Sequence, residues 1–385
     1  MRFLNALKSW RGAKAFQRLP SATRQLVFYA ESRDYKKYFW PVLEELLRRK
    51  NNGICYLTSD PEDPLLSIKH SGLHVFYVGS GSARIYLFSV LPSCVLVMTL
   101  PDLNSFHIKR SINNVHYCYL HHSMVSTHMI YRTHAFDSFD SVLCVGPHHI
   151  NETRAHEQVN ELPSKRLFQH GYGPLDTLIS LAKSRTSDAN IHGQHHVLIA
   201  PSWGNDTLVE SNARPIVEQL LNAGYRVTVR PHPRTLLIAP QTALSLEAHF
   251  SNDPNFALDS DSSSLDVLLN AHIMISDWSG VAMEFAFGLE RPVLFIDVPR
   301  KILNSEYAEL GLSPLEVEYR HEVGQVLPVD QLGQVVQVIN TLITCTTDYA
   351  DNIRQIRNKW VFNIANSGAK GADCLLELLQ DRESI

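Results

Sequence analysis

Short apolar runs alternate with helix-length amphipathic segments along most of the chain. Runs of this length, bounded by turn residues, are typical of the buried strands of a parallel sheet covered by helices. In the first half they are QLVFYAE (25–31), ICYLTSD (54–60), HVFYVG (74–79), CVLVMTL (94–100), VHYCYLHH (115–122), SVLCVGP (141–147) and RLFQHGYG (166–173). In the second half they are HHVLIAPSW (195–203), YRVTVRPHP (225–233), FALDSD (256–261), HIMISDWSG (272–280) and PVLFIDVP (292–299). The pattern predicts an α/β protein with two tandem doubly wound, Rossmann-like domains.

The division between these domains is expected where residues 171–194 become polar towards their end. We predict a basic leader over 1–24, an N-terminal α/β domain over 25–187, a C-terminal α/β domain over 188–346, and helices over 347–385 that pack back across both domains. A helix is expected from about Pro41 to Lys50, because proline suits the first helical turn. Two such domains enclose one cleft, and open α/β sheets bind ligands beyond the carboxyl ends of their strands.

Composition narrows the class of protein. The chain has 385 residues, of which 44% are hydrophobic, and its formal net charge is −4, so no overall field attracts nucleic acid. Its apolar runs are shorter than the roughly 20 residues of a spanning helix. Four cysteines stand inside apolar runs without a CxxC pair, which indicates buried thiols in a cytoplasmic protein; they are Cys55, Cys94, Cys118 and Cys144.

The leader carries six basic residues and no acid, and Phe3, Leu7 and Trp10 share a helical face. This is the pattern of a helix that lies on an anionic membrane surface. The alternative is a solvated leader whose apolar side chains dock on the protein's own core.

A junction between strand and helix follows HIMIS. There a helix from about Val281 to Phe287 would point its first N–H groups into the cleft, forming an anion site to which Ser279 adds a hydroxyl and which Gly280 lets a phosphate approach. Glu284 would accept from a ribose hydroxyl. The alternative is that Asp277 or Ser279 is only an N-cap and Glu284 only compensates the helix dipole. The residues assigned to donor binding here are Ser276, Asp277, Ser279, Gly280 and Glu284.

Two further strand ends carry chemistry. VTVRPHPR (227–234) holds Arg230, His232 and Arg234 between prolines, which suits a pyrophosphate, although a solvated basic turn is the alternative. In YLHHSM (119–124), His121 and His122 point to opposite faces, so only one enters a shared pocket, where an imidazole can deprotonate an alcohol. A structural histidine is the alternative there.

Two other motifs are weaker. VGSGSAR (78–84) has the layout of a dinucleotide fingerprint, but Arg84 occupies the third glycine position, so Gly79 and Gly81 are assigned to a turn or to acceptor contact, with Ser123 and His121. His149, Glu152 and His156 share a helical face, but their spacing matches no strong zinc signature. We therefore assign no metal ligands.

These motifs resemble the CDP-glycerol glycerophosphotransferases, a family that includes teichoic-acid primases and polymerases. YLHHSM is similar to the family's strand-end histidine motif, VRPHPR to its histidine–proline segment, and ISDWSGVAMEFA to its Ser/Thr-Asp-Tyr-Ser-Ser block. HGYGPLD is similar to its Gly-x-Pro-Arg-x-Asp linker, with Asp176 in the aspartate position. The chain departs from the family in lacking the linker arginine, in having Gly280 where a second serine is common, and in having Ser123 for glycine.

The resemblance implies the two-domain GT-B fold, a catalytic role for His122, and donor-phosphate binding by His232 and Ser279. The expected protein is an enzyme that moves glycerol phosphate, or another polyol phosphate, from CDP-glycerol to a hydroxyl of a surface glycan or glycolipid, releasing CMP. No cofactor is required, with Mg²⁺ as the alternative. The expected location is the cytoplasm, with peripheral contact with the inner membrane. The alternatives are a GT-B nucleotide-sugar glycosyltransferase or epimerase, and a non-catalytic glycan-assembly subunit.

Overall fold

The computed structural model describes residues 2–50, 53–106, 108–185, 194–204, 207–261 and 264–383. The strands are β1 (Leu26–Ala30), β2 (Ile54–Thr58), β3 (Leu73–Tyr77), β4 (Val95–Met98), β5 (His116–Leu120), β6 (Ser141–Cys144), β7 (Arg166–Gln169), β8 (His196–Ile199), β9 (Arg226–Val229), β10 (Phe256–Leu258), β11 (Ile273–Ser276), β12 (Val293–Asp297) and β13 (Gly324–Pro328). The predicted domain boundary at 187/188 lies outside the described residues.

Over the described residues, α-helices lie between most consecutive strands, except between β2 and β3 and between β4 and β5. They are α1 (Arg2–Gln17), α2 (Lys36–Arg48), α3 (Ser82–Ser89), α4 (Thr127–Ile130), α5 (Pro147–Val159), α6 (Gly173–Ser184), α7 (Leu208–Ser211), α8 (Ala213–Asn222), α9 (Pro233–Ile238), α10 (Pro240–Phe250), α11 (Asp266–Asn270), α12 (Gly280–Leu289), α13 (Leu315–Tyr319), α14 (Val335–Thr344), α15 (Thr346–Trp360) and α16 (Ser367–Glu383). Among the described helices, none combines the length and the apolar character needed to cross a bilayer.

The strands form two parallel sheets with the same doubly wound order. The first runs β3-β2-β1-β4-β5-β6-β7 and the second β10-β9-β8-β11-β12-β13. The predicted class, tandem α/β domains, is confirmed. The sequence pattern missed β13, whose residues GQVLP carry a glycine and a proline at its ends and no long apolar run.

Burial on both faces explains why the strands are continuous apolar runs rather than alternating ones. Every residue of β1, β2 and β4 is buried. One apolar cluster lies on each face of the first sheet, and two more enclose the second. Parallel sheets covered by helices on both faces have this composition.

Helix α2 begins at Lys36, so the prediction that it starts at Pro41 is wrong. Pro41 lies inside the helix, where its missing N–H removes one helical hydrogen bond. Phe39, Val42, Leu43 and Leu46 bury one face of α2, and this packing outweighs the loss. The earlier start brings Lys37 to the carboxyl edge of the first sheet, beside residues of the cleft described below.

The ends of the chain pack on the domains. Helix α1 contacts β3 and α3, burying Ala13 and Phe16 while Leu4 and Leu7 stay exposed. Helix α15 packs against α12 and α16 against α2. Asp176 joins α6 to this tail, because its carboxylate accepts the backbone N–H groups of Ala365 at 2.6 Å and Ser367 at 2.8 Å. The family's linker aspartate therefore caps the start of α16 in this chain.

Candidate active site

His122 follows β5 and lies in a pocket of tyrosines. Its Nδ1 is 3.1 Å from the Tyr119 hydroxyl and its Nε2 is 3.1 Å from the Tyr131 hydroxyl. The rings of Tyr35 and Tyr38 approach the imidazole edge-on, each at 5.9 Å between centroids. A neutral imidazole has one N–H and one lone pair, so it donates to one flanking tyrosine and accepts from the other.

The pocket keeps His122 neutral at physiological pH. Burial lowers the pKa of His122 to about 4, and the nearby Lys37 ammonium lowers it further, while a hydrogen bond to the Thr99 backbone opposes both. The same burial raises the pKa of Tyr131, so its phenol stays protonated. The arrangement provides a neutral imidazole that can accept a proton.

His121 faces away from this pocket, and its assignment to the acceptor side is wrong. Its ring stacks on His149 at 3.7 Å between centroids and contacts Tyr119 and Phe136. It is buried, and burial lowers its pKa well below the usual value. Successive side chains at a strand end alternate in direction, so only His122 of the pair reaches the cleft.

The loop after His122 meets the N-terminus of α12 from the other domain. A Cβ atom added to Gly280 would lie 3.3 Å from Oγ of Ser123 and 3.4 Å from Val125, so a larger residue would crowd this contact. Behind it, the Tyr172 hydroxyl lies 2.9 Å from Oε1 of Glu284 and 3.2 Å from the His122 carbonyl oxygen. The structure thus brings together His122, Ser123, Gly280 and Glu284.

Ser279 is the N-cap residue of α12, but its hydroxyl makes no capping hydrogen bond within the described part of the chain. The helix runs for ten residues from Gly280, and its first amides and positive dipole end face the loop of Ser123. A hydroxyl beside the first N–H groups of a helix is an anion-binding arrangement. This geometry favours the phosphate interpretation over simple capping.

The side chains of Ser276 and Asp277 are buried and bonded to backbone groups, so assigning them to donor contact is wrong. The Ser276 hydroxyl donates to the Ala200 carbonyl at 2.7 Å. The Asp277 carboxylate accepts the backbone N–H groups of Ser202 at 2.7 Å and Leu208 at 3.3 Å. Burial raises the pKa of Asp277. Both side chains instead shape the loop after β8.

Arg230 is also occupied elsewhere. Its Nε lies 2.7 Å from Oδ2 of Asp259, and its NH2 group donates to the Ser264 carbonyl at 2.9 Å. The side chain is only 8% exposed, and breaking a buried ion pair is costly. The prediction that Arg230 contacts the donor phosphates is wrong, because it holds the turn after β10.

His232 remains available to a ligand. It is the N-cap of α9, where its Nδ1 accepts the Arg234 backbone N–H at 3.1 Å. That bond leaves the proton on Nε2, which can donate outward. Burial lowers the pKa of His232 to about 4, and the charges of Lys301, Arg234 and Lys37 lower it further.

A cation cluster surrounds His232, and sequence reasoning missed most of it. The Arg234 guanidinium lies 3.9 Å from the Trp203 ring centroid and the Lys301 ammonium 3.6 Å from it. Burial lowers the pKa of Lys301 to about 8. Lys37, from the first domain, acts on both His122 and His232. These positive charges repel one another until an anion enters, so they favour a diphosphate.

Gly79 and Gly81 stand apart from the cluster, and their assignment to the acceptor side is wrong. Three strands separate β3 from β5, so these glycines lie roughly 19 Å along the sheet from His122. Gly79 packs on Ser9 of α1, and its carbonyl accepts from Ser59 at 2.6 Å. The buried Arg84 donates to the Tyr29 hydroxyl at 2.8 Å.

His149, Glu152 and His156 do not converge. His149 Nε2 lies 2.9 Å from the Val125 carbonyl, and Glu152 accepts the Thr127 N–H at 2.6 Å and pairs with His128 at 3.3 Å. Burial favours the protonated form of Glu152, but the neighbouring His128, His148 and His149 lower its pKa to about 2. His149 and Glu152 thus fix the loop of residues 123–133, whereas His156 pairs with Asp137 at 2.8 Å.

The paired sheets and the cleft define the class: the chain has the GT-B architecture. Wall teichoic acid polymerase TagF shares it with a TM-score of 0.62 at 14% identity, covering 100% of this chain and 98% of that chain. A putative UDP-N-acetylglucosamine 2-epimerase from Listeria monocytogenes gives 0.59 at 12% identity, over 94% and 98%. WaaG, a glycosyltransferase involved in lipopolysaccharide biosynthesis, gives 0.51 at 12%, over 91% and 99%. At these identities the likeness concerns the fold.

The family is indicated by the sequence itself. The model of the family described as CDP-Glycerol:Poly(glycerophosphate) glycerophosphotransferase matches residues 114–301, the region from β5 to Lys301 that carries His122, His232 and Ser279. The predicted resemblance is therefore confirmed over this region, and so is the prediction of a CDP-glycerol glycerophosphotransferase-like enzyme. No curated protein matches the chain.

Proposed function

We propose that this enzyme transfers glycerol phosphate, or another polyol phosphate, from CDP-glycerol to a hydroxyl of a cell-surface glycan or glycolipid. The acceptor oxygen forms a bond to the phosphorus that carries the polyol, the diphosphate P–O bond breaks, and CMP leaves. His122 takes the proton of the attacking hydroxyl. Phosphoryl transfer of this kind needs positioning and charge stabilisation more than covalent help.

One observation carries the proposal: a neutral imidazole and a cation cluster from two domains border the same cleft. Lys37 lies close enough to shift the pKa of both His122 and His232, and Gly280 abuts Ser123. The donor is supported by the family match. It is also supported by the similarly folded TagF, which was soaked with CDPG in one structure.

In this scheme the diphosphate binds against Lys301, Arg234, the Nε2–H of His232, Ser279 and the first amides of α12. Its negative charge offsets the repulsion within the cluster and raises the pKa of His122 from about 4, since a nearby anion favours the imidazolium. Donor binding therefore prepares the base. Glu284 is proposed to receive a ribose hydroxyl while Tyr172 holds its Oε1.

The acceptor hydroxyl is proposed to replace Tyr131 at Nε2 of His122. Tyr119 then keeps its contact with Nδ1 and orients the ring. Two residues therefore take part in catalysis. His122 acts as the base, and His232 donates a hydrogen bond to the diphosphate. The transfer proceeds without an added metal in this scheme. Loss of turnover in EDTA that Mg²⁺ restores would instead establish the Mg²⁺ alternative.

A membrane-bound acceptor fits the exposed face of α1. Leu4 and Leu7 are 61% and 43% exposed, and Trp10 of the same helix packs on the exposed Tyr86 of α3 at 5.6 Å between ring centroids. Lys8, Arg11, Lys14 and Arg18 are exposed on the same helix or just beyond it. Basic and apolar residues together bind anionic lipid surfaces. We propose that this face holds the protein on the cytoplasmic face of the inner membrane.

The released nucleotide tests the reaction. We expect the purified protein, given lipid-linked or glycan acceptors, to release CMP from CDP-glycerol and to leave UDP-sugars intact. Release of UDP from a UDP-sugar would establish the glycosyltransferase or epimerase alternative. No turnover of any donor, with the folded protein and every acceptor in the panel, would favour a non-catalytic assembly subunit.

A further inference from the structure

A second group of ligand-bearing side chains lies outside the cleft, where the segment after α4 folds onto α5. His134, Asp137 and His156 each offer one ligand atom, and these atoms lie within 4.8 Å of one another. Nδ1 of His134 is 2.7 Å from Oδ2 of Asp137, and Nε2 of His156 is 2.8 Å from Oδ1. We propose that these three side chains form a binding site for a divalent transition metal, with Zn²⁺ as the reference ion.

The ligand chemistry suits this class of ion. Two imidazoles and one carboxylate are a common zinc ligand set, with Zn–N distances of about 2.0–2.1 Å and tetrahedral ligand atoms therefore roughly 3.3 Å apart. The three ligand atoms need to move by about an ångström or so to reach that spacing. The His134 side chain is 63% exposed, so it can rotate, and solvent supplies the fourth ligand.

The surroundings already orient the inner histidine. Nδ2 of Asn160 lies 3.1 Å from Nδ1 of His156 and 3.0 Å from its carbonyl oxygen. A hydrogen-bonded second nitrogen is the usual support of a metal-binding imidazole, and the Asn160 amide can turn its oxygen to the ring. The Lys165 ammonium, 3.3 Å from the Asp137 carbonyl, opposes a dication. We therefore expect micromolar rather than nanomolar affinity.

The site would act as a structural clamp near the catalytic pocket. Phe136 precedes Asp137, and its ring packs on Tyr119 at 4.7 Å and on Tyr131 at 5.1 Å between centroids. These are the two tyrosines that flank His122. A metal that ties Asp137 to α5 holds this wall in place. The sequence weighed a different set, and only His156 belongs to both.

Zinc titration of the full chain, after treatment with a chelator, tests the proposal. We expect one Zn²⁺ per chain, with affinity lowered at least tenfold in His134→Ala and in Asp137→Asn. The matched control is His249→Ala, because His249 also pairs with a carboxylate, that of Glu218 at 3.2 Å. This control should bind Zn²⁺ as the wild type does. His134 is exposed, so its variant should fold normally, which circular dichroism checks.

Two further readouts separate a built site from surface histidines. Co²⁺ should give the visible absorption of a four-coordinate ion in the wild type and lose it in His134→Ala. Zn²⁺ should raise the Tm of the wild type more than that of His134→Ala. Equal zinc affinity and stoichiometry in the wild type and both site variants would overturn the proposal, as would a wild type that binds no zinc.

Discussion

The protonation state of individual side chains decides which of them can act in the cleft. His122 and His232 are both neutral at pH 7 because burial lowers their pKa values to about 4. The tyrosines around His122 and the backbone bond to His232 give the two rings different tasks. Under the proposed function, His122 accepts a proton and His232 donates a hydrogen bond to phosphate.

Replacing His122 with alanine should lower turnover without weakening donor binding. A general base contributes typically about 10²–10⁴-fold, and in the proposed mechanism His122 contacts the acceptor rather than the donor phosphates. We expect kcat to fall by that factor while the Kd for CDP-glycerol changes less than about threefold. Replacement of the exposed His321 is the control. A His122→Ala enzyme with wild-type turnover would remove His122 from the mechanism.

Deprotonation of Lys301 should limit donor binding at alkaline pH. Its pKa is about 8 in the free enzyme, so the ammonium is present below pH 8 and is lost as the pH rises through it. We expect kcat/KM for the donor to fall above pH 8, by roughly tenfold or more for one charge-assisted phosphate contact. Lys301→Arg keeps its charge, so its kcat/KM should begin to fall only at a higher pH. An identical fall of kcat/KM with pH in both enzymes would contradict this role.

At the scale of whole elements, the positions of the strands were predictable from the sequence. The hydrogen-bond partners of the polar side chains at the strand ends were not. Twelve strands were predicted from apolar runs. Parallel strands buried on both faces are continuous apolar runs, without alternating polar residues, and are therefore easy to recognise. His122 was predictable as one of two adjacent histidines. Arg230, Ser276 and Asp277 also stand at strand ends, yet each bonds to a neighbouring loop. Sequence spacing does not reveal which polar side chain has a partner inside its own domain.

Beyond Arg234 and His232, the cation cluster could not be predicted, because its other members come from separate elements. Trp203 follows β8, Lys301 follows β12, and Lys37 belongs to the other domain. Each residue alone resembles a solvated surface residue, so no local pattern distinguishes it. The position of Lys37 was missed for a second reason, because the expected start of α2 near Pro41 placed this residue before the helix. Only the packing of two domains brings these charges together.

The exposed face of helix α1 should bind anionic vesicles. Burying two leucines contributes about 1.5–3 kcal/mol each, and nearby basic residues about 1 kcal/mol each. We expect Leu4→Asp/Leu7→Asp to bind phosphatidylglycerol vesicles at least tenfold more weakly in a sedimentation assay. Leu244→Asp, at a leucine 50% exposed in α10, should bind as the wild type does. Equal binding of all three proteins would contradict a role for α1.

At the scale of the whole molecule, the loop after His122 joins the two domains. The Ser126 N–H donates to Oε2 of Glu316 at 3.1 Å, the Leu315 N–H donates to the Ser126 hydroxyl at 2.6 Å, and Asn304 donates to the His128 carbonyl at 2.9 Å. Any rotation between domains must therefore break these bonds or shift residues 126–128, which lie between His122 and Tyr131 in the chain. These bonds couple the position of the second domain to the loop that leads from His122 to Tyr131.

Glu316 should make the contact between Ser126 and the second domain sensitive to pH. Burial raises its pKa from 4.5 to about 7, so the folded state binds a proton that the unfolded state has lost, and stability falls as pH rises from about 4.5 to 7. Glu316→Gln removes this cost. We expect its advantage in unfolding free energy to grow from pH 5 to pH 8, reaching on the order of 3 kcal/mol.

Chemical denaturation of the wild type and Glu316→Gln across that range measures the effect. Glu318→Gln, at an exposed position on the same helix, is the control and should follow the wild type at every pH. A Glu316→Gln advantage that stays constant from pH 5 to pH 8 would show that Glu316 does not take up the proton.

The most direct test of the cleft is a crystal structure of His122→Ala with CDP-glycerol bound. The account predicts the diphosphate within hydrogen-bond distance of Ser279, Lys301 and the first amides of α12, with the polyol phosphate facing the space left by the imidazole. A donor bound outside the cleft, or bound with its phosphates turned away from residue 122, would contradict it.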